Sequence, residues 1–278
     1  MKKVLLVASA GLLALGTVVA SAADMALPVK SALPAAPVYD PWTGFYIGGN
    51  GGSGLANTDV GGTGTGTHGA VAFTDSFSID RSQHGPLAGG QLGINYEFSP
   101  HWVLGAEADI DWSNIKGSAA PCGAKNAAKV VDCLGVAGKI DDFGTVRGRF
   151  GYVFDNLLVY GTGGLAWAND TETVTVSCSG AKCPKSSNTL AFNSASSSAT
   201  PFGWSAGAGF EWRVMPNWLL RVEYLHLQFN RTSSTYALNG TATTGGVTTP
   251  VALTANLSAI SNVEVLRVGL SYLFNWGL

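Results

Sequence analysis

Apolar and polar residues alternate with a period of two along most of this chain, the spacing that sends successive side chains to opposite faces of a β-strand. From Trp42 onward the alternation predicts eight strands. The first covers 43–56, with Phe45, Ile47 and Leu55 sharing a face, and the second covers 86–98, with Ala88, Leu92, Ile94, Tyr96 and Phe98 opposite Gly89, Gln91, Gly93, Asn95 and Glu97. The third, 102–115, sets Trp102, Leu104, Ala106, Ala108, Ile110 and Trp112 against Glu107, Asp109 and Asp111. The fourth, 140–154, sets Val146, Phe150, Tyr152 and Phe154 against Thr145, Arg147 and Arg149. Weaker alternation over 157–168 gives a fifth, with Leu157, Val159, Leu165 and Trp167 on its apolar face. The sixth, 202–214, carries Phe202, Trp204, Phe210 and Trp212 against Glu211 and Arg213. The seventh, 218–230, opposes Trp218, Leu220, Val222 and Tyr224 to Arg221 and Glu223. The eighth, 260–274, opposes Leu266, Val268, Leu270, Tyr272 and Phe274 to Arg267, Gly269 and Ser271.

Connections between these strands alternate in length. Ser99-Pro100-His101, Asp155-Asn156 and Met215-Pro216-Asn217 read as tight hairpin turns, while polar stretches near 57–84, 116–139, 169–201 and 231–259 read as long loops. Short turns on one rim and long loops on the other, with an even strand number, describe an eight-stranded antiparallel up-and-down transmembrane barrel. A soluble barrel turned inside out shares the alternation, so aromatic placement has to separate the two. Trp102 and Trp112 bracket the third strand, Phe202 and Trp212 the sixth, and Trp218 opens the seventh. Ten residues at ~3.3 Å, tilted by ~40°, project to ~25 Å, the height of a lipid-facing band between aromatic girdles.

Composition sharpens this. Only 12% of residues are charged while 37 are glycine, where a soluble domain carries about a quarter charged. Lys2 and Lys3, the apolar run Val4–Ala20 and the small residues Ser21-Ala22-Ala23 have the order of a secretory signal peptide, expected over 1–23. Residues 24–41, with four prolines, read as a periplasmic leader, and 42–278 as the barrel. Losing Lys2 and Lys3 from 16 cationic side chains against 18 acidic ones takes the formal charge from −2 to −4, no footprint for nucleic acid. Cys122, Cys133, Cys178 and Cys183 fall outside the eight strands. In an exported chain they are expected as disulfides, Cys122–Cys133 and Cys178–Cys183 being favoured among three connectivities. No histidine accompanies either pair, so zinc is disfavoured.

The polar face collects Glu107, Asp109, Asp111, Glu211 and Glu223 with Arg147, Arg149, Arg213, Arg221 and Arg267. A turn centred on Pro216 sets Glu211 across from Arg221, and adjacent third and fourth strands bring Arg147 and Arg149 to the acids of the third. Such charges either line a selective pore or fill the lumen as a salt-bridged plug. An eight-stranded lumen is only wide enough for side chains, which favours the plug. His68, His84, His101 and His226 lie in expected loops, a turn or a strand end without a nucleophile motif, so no catalytic residue is assigned. No cofactor or metal is expected either.

The final strand, with Gly269, Tyr272 and Phe274, resembles the C-terminal signal read by the barrel-assembly machinery, although Asn275-Trp276-Gly277-Leu278 follow the usual terminal Phe position. Trp42-Thr43-Gly44-Phe45-Tyr46-Ile47-Gly48-Gly49-Asn50-Gly51-Gly52 after a signal peptide resembles the first strand of the small outer-membrane porin-family barrels of rhizobia and brucellae, the Omp25/Omp31-like group. Gly163-Gly164-Leu165-Ala166-Trp167, Trp204-Ser205-Ala206-Gly207-Ala208-Gly209-Phe210-Glu211 and Arg221-Val222-Glu223-Tyr224 are similar to it too. The resemblance implies an immunogenic surface barrel of the OmpA-like type and brings no catalytic or ligand residues. The expected role is envelope integrity and surface interaction; a small-solute or ion-conducting porin is the alternative, and a receptor for a ligand such as haem the third. Expected partners are outer-membrane lipid and lipopolysaccharide, with the assembly machinery and periplasmic chaperones during biogenesis. The expected assembly state is a monomer or weak oligomer.

Overall fold

The computed structural model describes residues 42–68, 71–120, 134–179 and 189–275. Among these residues there is no helix. The strands are β1 (Gly44–His68), β2 (Val71–Ser99), β3 (Trp102–Ala119), β4 (Leu134–Phe154), β5 (Leu157–Ser179), β6 (Thr189–Phe192), β7 (Ala195–Ala199), β8 (Phe202–Met215), β9 (Trp218–Phe229), β10 (Thr232–Thr244) and β11 (Val247–Phe274). Every pairing is antiparallel, and eight strands close a ring in the order β1-β2-β3-β4-β5-β8-β9-β11. The ring closes where Phe45 pairs Phe274 and runs up to His68 opposite Val251. The three predicted turns join β2–β3, β4–β5 and β8–β9 on one rim, with His101 and Asp155 in the left-handed conformation tight hairpins require.

The direction of the alternation excludes the soluble barrel. Ile47, Leu92, Leu104, Trp112, Val146, Phe150, Leu165, Phe202, Trp212 and Val268 are all exposed on the outside, while Arg147, Arg149, Arg221, Arg267, Asp111 and Glu211 are buried inside. A band of this size on a water-soluble surface would aggregate; against lipid it is the solvated face. At the short-turn rim the girdle is continuous. Trp102 packs on Phe150 and Tyr152 at 5.0 and 4.9 Å, and Tyr272 on Trp218 and Phe274 at 5.3 and 4.8 Å.

The long connections differ from the sequence expectation, because most of their residues are strand. Strands β1, β2, β4, β5 and β11 run well past the predicted ends, and β6, β7 and β10 complete a second storey above the first. β11 explains why the pattern hid them. From Val251 to Leu273 its odd-numbered residues point inward. In the upper half these are Val251, Leu253, Ala255 and Leu257, with Thr254 and Asn256 outward; in the lower half Arg267 and Ser271 point inward, with Leu266, Val268 and Leu270 outward. The polarity inverts while the strand continues, since the upper wall faces water and the lower wall faces lipid. Cys178 accordingly lies within β5, paired with Leu190, rather than in a loop. Cys122, Cys133 and Cys183, the signal peptide and the leader lie outside the described residues.

Glycines make room for the interior. A Cβ at Gly93 would collide with the ring of Tyr46, and one at Gly52 would press on Arg267 and the backbone of its neighbour Leu266. The glycine-rich segment 48–52 is therefore part of strand β1, making space for inward side chains.

Candidate functional site: a charge cluster sealed inside the barrel

Five strands converge their inward polar residues at mid-height. Glu107, Asp109 and Asp111 come from β3, Arg147 and Arg149 from β4, Glu211 from β8, Arg221 and Glu223 from β9 and Arg267 from β11. Register alone sets the pairs Glu107–Arg147, Glu211–Arg221 and Glu223–Arg267 side by side. The tighter contacts then cross the lumen. Arg147 Nη2 donates to Glu107 Oε1 at 2.6 Å and Asp109 Oδ2 at 2.7 Å, and its Nη1 to Glu223 Oε1 at 3.1 Å. Arg267 donates to Asp111 Oδ2 at 2.6 Å, Asp109 Oδ2 at 3.1 Å and Glu223 Oε2 at 2.7 Å.

A second knot forms toward the short-turn rim. Arg149 Nη2 and Arg221 Nη2 both donate to Glu211 at 2.7 Å, and Arg221 Nη1 lies 2.6 Å from Glu107 Oε2. Tyr46 donates to Glu107 Oε2 at 2.5 Å and accepts from Arg149 at 2.8 Å, while Tyr160 donates to Glu223 Oε1 at 2.9 Å. The Arg149 guanidinium also stacks 4.0 Å over the Tyr160 ring. Glu107 is thus shared by Arg147, Arg221 and Tyr46, and Glu223 by Arg147, Arg267 and Tyr160. The result is one network rather than a set of pairs. A guanidinium suits this role because its fork of donors reaches several carboxylates at once.

The network is closed above and below. Beneath it, Trp42, Val103, Val153, Leu158, Leu219 and Leu273 form an apolar floor. Above it, Leu87, Ile115, Ile140, Phe143, Leu225, Leu227, Phe229, Val263 and Val265 form an apolar ceiling. A further polar layer follows, where Arg81 donates to Glu172 at 3.0 Å beside Asp170, and then the apolar core of the upper storey around Val60, Val136, Val174, Leu238, Leu253 and Leu257. Asp170 stands above the aromatic girdle, and burial with the nearby Glu172 carboxylate pushes its pKa up to about 6.

Nine of the ten charges expected in the lumen meet in this way. Arg213 does not join them; it sits near the short-turn rim with its guanidinium 4.7 Å over Trp42. Tyr46, Tyr160 and Thr145, which accepts from Arg147 and donates to Asp109 at 2.7 Å, complete the network and were not singled out from sequence. Parity could have found Tyr46, because it lies between the outward Phe45 and Ile47. The five girdle aromatics all face outward. So do Tyr272 and Phe274, while Gly269 faces in toward Gln91. Of the histidines, His101 stacks on Tyr152, His84 lies in β2 rather than a loop, and His226 points outward with Nδ1 2.7 Å from Glu264. Among the described residues no group of three or more His, Cys, Asp or Glu side chains that could hold a metal assembles.

The family model described as the outer membrane protein beta-barrel domain matches residues 10–274. The 31 kDa outer-membrane immunogenic protein of Brucella melitensis is 32% identical over 99% of this chain and 100% of its own. The 22 kDa outer membrane protein of Rhizobium leguminosarum is 28% identical over 68% of this chain and 64% of its own. Among solved structures, OprG of Pseudomonas aeruginosa covers 84% of this chain and 97% of its own at 11% identity and a TM-score of 0.36.

Proposed function

The chain belongs to the outer membrane protein β-barrel domain family and is an Omp25/Omp31-like barrel of the Gram-negative outer membrane, and from that premise we propose a structural and surface role for it. The membrane storey anchors the protein, and the upper storey presents a rigid strand-built wall outside the cell. The observation that supports this over a pore is the layering of the lumen. A conducted ion would have to break the Arg147–Glu107–Asp109–Arg267–Glu223 network and also cross the apolar floor and ceiling on either side of it. Apolar constrictions exclude ions even where a wider passage would stay wet. A surface role also agrees with the name of the Brucella relative, an immunogenic protein.

Single-channel recording of the refolded barrel in a planar bilayer tests the proposal. The expected result is silence from the wild type and from Arg147→Ala/Arg149→Ala, because the ceiling at Ile115, Phe143, Leu225 and Phe229 survives in that variant. Heat-modifiable migration shows that each preparation is folded. Reproducible wild-type steps whose size or selectivity changes in the double variant would replace this role with a porin.

A further inference from the structure

We propose that a slit between β7 and β10 in the upper storey holds one hard divalent cation of the calcium class, with the Asp170 carboxylate as its anionic ligand and the Ser197, Thr232 and Ser234 hydroxyls beside it. This rests on the upper storey alone and not on whether the lumen conducts.

An interruption in the sheet builds the slit. β6 pairs β10 over Thr189–Phe192, and β8 pairs β9 as far as Gly203 opposite Phe229. Between these two ladders β7 pairs β5, and residues 232–239 of β10 pair β11. Among the described residues no ladder joins β7 to β10. Single bonds tie the two ends of the gap, from Asn193 N–H to the Asn239 carbonyl at 3.0 Å and from Asn230 N–H to the Phe202 carbonyl at 2.9 Å. At each end two consecutive residues are exposed, Asn193-Ser194 on one edge and Asn230-Arg231 on the other. An extra residue of this kind bends an edge and re-aims the side chains beyond it. Ser197 of β7 and Thr232, Ser234 and Tyr236 of β10 thereby line one cavity with Asp170 and Glu172 of β5.

That cavity measures about 20 Å³, room for one water-sized occupant. Its electrostatics favour a positive one. Glu172 is neutralised by Arg81 at 3.0 Å, and Asp141 engages Lys139. Among the described residues no ion pair is recorded on Asp170. Its carboxylate takes the backbone N–H of Thr171, and its Oδ1 is buried without a partner. Tyr236, only 2% exposed, brings a second buried oxygen, with the Ser197 and Ser234 hydroxyls alongside but no hydrogen bond of full geometry completed. A strand edge without a neighbour also presents backbone carbonyls. Carboxylate, hydroxyl and carbonyl oxygens are the ligand set of hard cations. Magnesium demands a near-ideal octahedron, whereas calcium accepts irregular oxygen shells, so an uneven slit between two strands suits calcium. Bound there, the ion fastens β5, β7 and β10 where the ladder does not. Burial and the Glu172 carboxylate push the Asp170 pKa up to about 6, so proton and cation compete for this site.

The test is a calorimetric titration of the chelator-stripped, refolded barrel in nonionic micelles with CaCl2 at pH 7, with MgCl2 and NaCl at matched ionic strength in parallel. A single uncompensated carboxylate sets the expected Kd near ~1 mM, the range of extracellular calcium modules. At that affinity 10 mM CaCl2 should lower the urea unfolding equilibrium constant about tenfold. Binding should weaken about tenfold at pH 5, where roughly a tenth of Asp170 is charged. Asp170→Asn should abolish binding, and Thr232→Val/Ser234→Ala, which retains the carboxylate, should weaken it severalfold. Asp155→Asn, an exposed acid at the short-turn rim, should bind as wild type does. Heat-modifiable migration verifies that each variant is folded. Equal calcium binding by Asp170→Asn and wild type overturns the proposal. So does an equal response to MgCl2 or NaCl, or no binding up to 10 mM CaCl2, which would make the occupant a water molecule.

Discussion

Replacing Arg147 with Met keeps most of the side-chain volume and removes one guanidinium from the centre of the network. In the native barrel that group contacts Glu107 at 2.6 Å, Asp109 at 2.7 Å and Glu223 at 3.1 Å, with no exposed side-chain surface. The substitution leaves those carboxylates sharing Arg221, Arg267 and the two tyrosines. Removing one partner of a buried ion pair costs about 3–5 kcal/mol, mostly the penalty of an uncompensated charge held away from water. With a urea slope of about 1–3 kcal/mol per molar, the unfolding midpoint should fall by roughly 1–5 M. The assay is reversible urea unfolding of the barrel in lipid vesicles, followed by tryptophan fluorescence and by heat-modifiable migration. The double variant Arg147→Met/Asp109→Asn should recover part of the loss, because one acid leaves with its partner and the coupling between neighbours is non-additive. A loss under about 1 kcal/mol for Arg147→Met would equal an exposed surface pair. That outcome would mean water reaches the network, and the sealed lumen would be refuted.

Three other outcomes follow from the same geometry. Arginine in place of Ala108, outward and between the girdles, should cost about 2–4 kcal/mol in vesicles, while arginine in place of Thr254 on the upper wall should cost about 0–1 kcal/mol; equal costs would contradict the lipid-facing assignment. Ala in place of Gly93 should push the Tyr46 ring off Glu107 and destabilise by about 1–3 kcal/mol, with Gly93→Ala/Tyr46→Ala less impaired than the sum of its parts in the same urea assay. Asp170 has its pKa raised to about 6, so the folded protein holds a proton that the unfolded chain has released between about pH 4 and pH 6. Its contribution to stability is present below that window and lost as pH rises through it. Asp170→Asn should therefore be more stable than wild type at pH 7, by up to about 3 kcal/mol, and level with it below pH 4 in urea melts; a parallel pH profile for the two would reject the burial argument.

The sequence by itself determined the membrane storey: strand number, the three tight turns, the parity of each strand and the partners reachable through register. Period two is a local property of extended backbone, and where lipid is outside and charge inside, every second residue declares its face. Glu211 opposite Arg221, and Arg147 beside Glu107, could be placed from turn positions alone. Three things needed the tertiary structure. The first was the sign of the alternation itself: period two leaves it open and the aromatic spacing points outward, but only the closed ring puts the apolar face on the outer wall. The second was the upper storey. There Thr, Ser, Asn and Gly face water, the contrast with inward Val and Leu is weaker and inverted, and the segments read as loops. The third was the network itself. Arg149 to Glu211, Arg267 to Asp111 and Tyr160 to Glu223 join strands 62, 156 and 63 residues apart in sequence. Those contacts depend on lumen diameter and on glycines such as Gly52 and Gly93 yielding their space. Both are properties of the closed ring, which no single strand contains.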